Sequence, residues 1–308
     1  MGRRSRKPRD YRDVDGILLL DKPLGLSSNK ALQAARHVFK ANKAGHTGSL
    51  DPLATGLLPI CFGEATKFSA FLLEAAKHYR AECRLGVVTS TGDAEGEVLE
   101  TRPVAVTREQ VEAVLPRFRG RIQQIPPMHS ALKHQGERLY NLARKGIEVE
   151  REPREVEIFA LEAVEFEGDR LLLDIHCSKG TYVRTLVEDI GEALGCGASL
   201  SALERTGVEP FRDQRRYTLD QLREIREQQG DAALLDCLLP IEAALADWPE
   251  IELSSAMSFY LKQGQPVQVP GAPLEGLLRL RGEGEGFLGV GQILDDGRVA
   301  PKRLLKAH

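Results

Sequence analysis

The chain has 308 residues, 42% of them hydrophobic, and a formal net charge of −3. It holds enough apolar material for one large core or two unequal ones, but no run near the roughly 18 apolar residues that a bilayer-spanning helix needs. The five cysteines, Cys61, Cys83, Cys177, Cys196 and Cys237, are scattered with no C-x-x-C pair, which argues against a disulfide framework and a zinc site. Reduced thiols, no metal and a cytoplasmic location are therefore expected, the more so because no apolar segment of a secretory signal follows the basic N-terminus.

The opening MGRRSRKPRDYRD (residues 1–13) is basic and unpatterned, as in a flexible arm that seeks phosphate or simply faces solvent. In DGILLLDKPLGLSSN, a short buried strand runs into a turn at Lys22-Pro23, and a Ser-capped helix, SNKALQAARHVFK, follows. After GHTGSLDPLATG (residues 45–56), the stretch HYRAECRLGVVTSTGD alternates like a strand and closes in the turn Thr91-Gly92-Asp93. TREQVEAVLPRFRG predicts an amphipathic helix capped by Thr107, with Gly120 past its end. Residues 123–153 form a polar excursion punctuated by proline. EVEIFALEAVEFEGDRLLLDIHCSKG returns to alternating strands, and TYVRTLVEDIGEALG predicts a helix capped by Thr181 and stopped near Gly195. Residues 212–248 read as helical and polar. Past Pro249 the segments QPVQVP, GLLRLRG, GFLGVGQIL and DDGRVAPKRLL predict short strands of a small β-rich module.

Three residues stand out for chemistry. Asp51 precedes Pro52, an arrangement suited to helix capping, yet Thr55, Gly56 and Pro59 make the helix it would start a poor one. Gly45 and Gly48 flank it and would let a ligand approach the backbone, beside His46 and Thr47. Arg184 falls in the first turn of a predicted helix, where a cation is disfavoured without an anion nearby; a phosphate, a surface glutamate or a catalytic carboxylate would serve. If that anion is Asp51, the arginine would keep it ionised and oriented. Tyr79 lies on a strand, where a half-buried core position and a base-stacking position are both open to it. In KHQGERLYNLARKG, Tyr140 sits among cations, a mixture that suits single-stranded RNA as well as an exposed amphipathic helix.

These segments together resemble the TruB family of tRNA pseudouridine synthases. The resemblance is carried by Gly45 through Pro59, by Asp21-Lys22-Pro23-x-Gly25, by Gly63-Glu64-Ala65-Thr66-Lys67, and by Tyr79 with Thr91-Gly92-Asp93. It continues through Pro126-Pro127, Ser130-Ala131-x-Lys133 and Gly180-Thr181-Tyr182-Val183-Arg184, in order over residues 14–210. The resemblance implies isomerisation of the uridine at position 55 in the T loop of tRNA, with Asp51 as nucleophile and Arg184 as its ionic partner. Tyr79 would stack on the target base and take part in proton movement. His46 would pack against the T loop, Tyr182 and Leu203 would wall the flipped uridine, and Lys22, Lys67 and Lys133 would give electrostatic support.

The same resemblance implies an α+β fold with a mixed, largely antiparallel sheet and flanking helices. Its catalytic domain would cover residues 14–249, with a thumb at about 123–153 that carries Lys133, Arg138, Arg144 and Lys145 to RNA phosphates, followed by a PUA-like RNA-binding domain at 250–308. It implies tRNA as the partner, with no cofactor, metal, membrane or obligate protein partner, and a monomer. Two alternatives remain at this stage: a noncatalytic RNA-binding or RNA-folding factor, and a guide-RNA-dependent synthase. Relatives carry L-R-R-T and G-P-F where this chain has Leu203-Glu204-Arg205-Thr206 and Glu209-Pro210-Phe211.

Overall fold

The computed structural model describes residues 10–130 and 132–306, so residues 1–9 of the basic arm lie outside the described residues. The described end of the arm is docked: Arg12 bridges to Ala41 and forms an ion pair with Asp231.

Strand β1 (Gly16–Lys22) is apolar without alternation because both of its faces are covered. Ser27 caps helix α1 (Ser28–Val38), its hydroxyl accepting from the Lys30 N–H. Strands β2 (Ala44–His46) and β3 (Ala54–Phe62) come next, then α2 (Ser69–Glu74) and β4 (Lys77–Leu85). A side hairpin of β5 (Val87–Thr89) and β6 (Val98–Thr101) leads to α3 (Arg108–Val114), which starts in a full capping box between Thr107 and Gln110. After β7 (Gly120–Gln124), a small hairpin of β8 (Lys133–His134) and β9 (Glu137–Arg138) precedes α4 (Leu139–Arg144). The long β10 (Arg154–Glu167), β11 (Arg170–Cys177), α5 (Val183–Ala193), β12 (Ala198–Val208) and α6 (Leu219–Leu235) complete this part.

Among the described residues, eight strands form one sheet in the order β1-β3-β12-β4-β11-β10-β7, with β2 paired onto β3. Its pairings are antiparallel except β12 with β3, which run parallel from Leu203–Ala54 to Arg205–Gly56. A second sheet of β13 (Glu250–Leu253), β14 (Leu277–Gly282), β15 (Gly286–Ile293) and β16 (Val299–Leu304) is joined by α7 (Ser255–Lys262). The expected α+β class with a largely antiparallel sheet and flanking helices is what the chain forms.

Three cores hold the first sheet. Leu186 and Ile190 of α5 meet Ala81, Leu173 and Leu200 at its centre, and α1 with α6 covers Leu18, Leu20 and Ile60 at its β1 end. A third cluster joins Leu57 and Phe68 to Phe287 and Val290 of the second sheet. With β4 central, the start of β4, the end of β11 and the start of α5 fall at one edge of the sheet, beside the segment that enters β3. That edge is where the candidate residues collect.

Several expectations are corrected. Thr181 does not cap α5: its hydroxyl donates to the Ser178 carbonyl, and Tyr182 holds the cap position with no side-chain bond. The helical stretch over 212–248 is interrupted, because Tyr217 pairs in extended form with Leu20 and Gly230 takes φ 85° inside α6. SAMSFYLK is a helix, α7, whose start is fixed by a bond from the Met257 N–H to Ser254, and QPVQVP joins the second sheet only through a bridge at Val267. Residues 54–62 form a strand rather than a weak helix.

Gly56 shows how tightly β3 meets β12. Its φ is +94°, and a Cβ there would lie 2.4 Å from the Arg205 carbonyl oxygen. Gly56→Ala is expected to lose about 2 kcal/mol or more in denaturant unfolding, since both the backbone region and the space refuse a side chain; an unchanged midpoint would contradict this close approach.

Candidate active site

Asp51 sits at the turn that feeds β3, and that turn is held from several sides. Ser28, the first residue of α1, accepts from the Leu50 N–H at 2.7 Å and donates to the Leu50 carbonyl at 3.0 Å. The Gly25 N–H donates to the Pro52 carbonyl at 2.8 Å, and Lys22 Nζ donates to the Ala54 carbonyl at 2.5 Å. Arg205, fully buried on β12, donates to the carbonyls of Leu57 at 2.7 Å and Gly48 at 3.2 Å. Local bonds thus fix the backbone on both sides of Asp51 and leave its carboxylate for another task.

That carboxylate does not cap a helix. Among the described residues its polar partner is Arg184, whose Nη2 lies 3.0 Å from Oδ2. The same guanidinium reaches Asp93 at 3.3 Å and donates to the carbonyls of Thr91 at 3.2 Å and His129 at 2.7 Å. Arg184 is buried and enters from the first turn of α5, so two carboxylates supply the anionic surroundings that this position demands. Asp93 is itself anchored, accepting from the Thr91 hydroxyl at 2.5 Å and the Glu95 N–H at 3.1 Å.

A cavity of about 310 Å³ opens beside Asp51. Tyr79, Tyr182, Leu203, Arg184 and Arg205 line it, together with Lys77 and His129. The Tyr182 backbone is clamped by the buried Gln124, which accepts from its N–H at 3.0 Å and donates to its carbonyl at 3.2 Å. Burial pushes the pKa of Tyr79 up, against the opposing pull of Arg205, and burial likewise raises Tyr182. Both phenols therefore stay protonated at neutral pH and offer rings and O–H donors rather than bases. Asp51 is also raised, first by burial, with Asp93 adding like charge and Arg184 and Lys22 opposing it.

The structure thus brings together Asp51, Arg184, Tyr79, Tyr182 and Leu203. Lys22 lies behind the Asp51 turn, buried, with its pKa pushed down to about 8 by desolvation. Three others stand apart from the cavity wall. His46 is on β2 opposite Ile60, its pKa lowered by burial. Lys67 forms an ion pair with Glu64 at 2.5 Å and donates to the Leu304 carbonyl at 2.9 Å, tying the two sheets together. Lys133 lines a separate recess with Glu150, Arg151 and Glu152. Sequence reasoning missed Asp93, Gln124 and Lys77; the Thr91-Gly92-Asp93 turn was the one signal that pointed toward the first.

The two acidic departures both have partners: Glu204 pairs with Arg216 at 3.1 Å, and the Glu209 carboxylate lies 2.9 Å from His78 Nε2. His78, His176 and Glu209 are also close enough to suggest metal ligation, with ligand atoms within 4.8 Å of one another. The imidazoles, however, stack at 4.0 Å and 11°, so one ion cannot lie in both ring planes, and the trio is better described as a stacked pair capped by a carboxylate.

Comparison with known proteins identifies the family. Residues 36–183 match the TruB family pseudouridylate synthase N-terminal domain. Residues 184–246 match the tRNA pseudouridylate synthase B C-terminal domain, and 249–305 match the C-terminal region of pseudouridine synthase II TruB. Proteins named tRNA pseudouridine synthase B are 56% identical in Ectopseudomonas mendocina, over 96% of each chain, and 54% identical in Serratia proteamaculans, over 98% of each chain. A solved Cbf5-Nop10-Gar1 complex shares the fold, with a TM-score of 0.74 at 24% identity over 99% of this chain and 91% of that one. The family models and the near-full-length relatives define a pseudouridine synthase, an isomerase. Within that class, the chain belongs to the TruB family.

A carbon-13 NMR titration should place the Asp51 pKa above its ordinary 3.8, and Asp93→Asn should lower it by removing a like charge. Because the folded-state value is raised, the protonated carboxyl favours the native state; that contribution is complete below 3.8 and is lost as pH rises through the folded value. A wild-type value at or below 3.8 would contradict the desolvation argument.

Proposed function

We propose that this enzyme converts uridine 55 in the T loop of tRNA to pseudouridine, with Asp51 as the covalent nucleophile. The observation that carries the proposal is the Asp51 carboxylate held 3.0 Å from a buried guanidinium, in a cavity walled by two tyrosines and a leucine. The curated relatives' names supply the tRNA substrate.

The reaction breaks the N1–C1′ glycosidic bond, turns the base and forms a C5–C1′ bond; N1 gains a proton and C5 loses one to solvent. A carboxylate suits this sequence because it can form a covalent bond to the nucleoside and then leave, with no cofactor. It must be ionised, which Arg184 favours against the larger opposing effect of burial. A uridine inside a folded loop has to leave its stack to reach Asp51, and the rings of Tyr79 and Tyr182 offer replacement contacts. Neither phenol serves as a ready base at neutral pH, so stacking and hydrogen-bond donation are their roles.

Outside the cavity, residues 123–153 carry Tyr140 with the guanidinium groups of Arg138 and Arg144 over its ring, at 5.8 and 5.7 Å from the centroid. This stacked, cationic element suits closure over the T arm, with Lys133 and Lys145 as further phosphate contacts. The β-rich segment 250–308 is assigned as a PUA-like RNA-binding module. The enzyme acts in the cytoplasm as a monomer, without a metal.

Tritium release from T-arm RNA carrying 5-tritiated uridine tests the reading. Wild-type protein should release the label, and Asp51→Asn should release none while keeping near-normal RNA affinity. Wild-type binding without release would leave an RNA-binding factor instead, and turnover by Asp51→Asn would remove Asp51 as nucleophile.

A further inference from the structure

Lys77 lies two residues before Tyr79 on β4, so both side chains leave the same face of the sheet, and both line the cavity beside Asp51. The residue is 6% exposed. Two of its three N–H donors go to the carbonyls of Leu73 at 2.7 Å and Ala75 at 2.5 Å, and no carboxylate pairs with it among the described residues. Arg205, beside it on the cavity wall, is also buried; it donates to two carbonyls and lies against the Tyr79 phenol. Arg184 has two carboxylates; among the described residues, Lys77 and Arg205 have none within ion-pair distance.

A buried cation without a counter-ion is costly, and the cost is offset when an anion arrives. The proposed reaction generates one. Heterolysis of N1–C1′ leaves the electron pair on the base, delocalised onto the uracil oxygens O2 and O4; attack at C6 instead places charge on O4. Either route puts negative charge on a carbonyl oxygen of a base held in this cavity.

We propose that Lys77 is a catalytic residue whose remaining N–H, with the Arg205 guanidinium alongside, stabilises the negative charge that develops on the carbonyl oxygens of the flipped uracil. This rests on the uridine-isomerising reading above and adds an electrostatic role distinct from the nucleophile. Burial, reinforced by Arg205, brings the Lys77 pKa down to about 8. The other groups facing it are Cys177 on β11, a neutral thiol with its pKa pushed up to about 11, Glu74 on α2, and Lys179 after β11. Glu74 and Lys179 are already paired with each other.

The test is single-turnover tritium release from T-arm RNA, with RNA affinity measured in parallel, for wild type, Lys77→Gln and Lys77→Arg across a pH range that brackets 8. Wild-type turnover should fall as pH rises past 8 while affinity holds. Lys77→Gln should lose about 100-fold in rate, as expected for one preorganised charge-stabilising group, and should show no such alkaline fall. Lys77→Arg should recover much of the rate and also lack the fall, because arginine stays charged. A wild-type rate that is flat through this range overturns the proposal without recourse to a variant. So does an alkaline fall that persists in Lys77→Arg, which would point to Lys22, or a Lys77→Gln defect confined to affinity, which would mark a phosphate contact. Wild-type protein that releases no tritium would instead overturn the reaction reading, and this inference with it.

Discussion

The site depends on a single buried guanidinium shared by two carboxylates. Arg184 stands in the first turn of α5, where the helix dipole opposes a cation, and it is held there by Asp51, Asp93 and two backbone carbonyls. Each partner comes from a different part of the chain: Asp51 from the turn into β3, Asp93 from the turn that follows β5, and His129 from the segment after β7. Loss of one carboxylate would leave a buried charge poorly compensated, the kind of defect that costs about 3–5 kcal/mol when a fully buried pair is broken. Asp51 remains half-open to the cavity, so its share is smaller, whereas Asp93 is buried with the arginine. The asymmetry suits a division of labour in which Asp93 holds the arginine and Asp51 is presented to substrate.

Around this centre the chain accepts local costs. Lys22, Lys77 and Arg205 are buried cations satisfied by carbonyl oxygens, and Gly48 and Gly56 take positive φ so that the Asp51 turn can lie against Arg205. None of these choices is what stability alone would select. Together they create a recess with fixed donors and an excess of positive charge. The large cores beneath the central strands hold that arrangement in place.

Much of this was legible in the sequence where the relevant signal is local. Ser27 and Thr107 announced helix starts, the alternation of HYRAECRL announced β4, and the departure of Arg184 from helix-dipole preference announced an anion. The sharing of Arg184 with Asp93 was not legible, because it joins positions that meet only through the order β12-β4-β11 at the sheet centre. The Thr181 cap failed for a different reason: Thr181 closes its own turn onto Ser178, and Gln124, distant in sequence, secures Tyr182 instead. Lys67 pairs with Glu64 of its own motif, but its bond to the Leu304 carbonyl of the second sheet is one that motif position alone does not reveal. Residues 54–62 escaped notice as a strand because Gly56 and Pro59 suggest a loop, yet parallel pairing with β12 and antiparallel pairing with β1 accommodate both.

The proposed reaction requires one uridine to leave the RNA stack and enter the cavity beside Asp51. The most direct measurement is a crystal structure of the Asp51→Asn protein bound to T-arm RNA. The target base is expected extruded between Tyr79 and Tyr182, with residue 51 facing its ribose or ring and Arg184 still bonded to Asp93. A complex in which that uridine stays stacked in its loop, with the cavity empty and the RNA on another face, would contradict it.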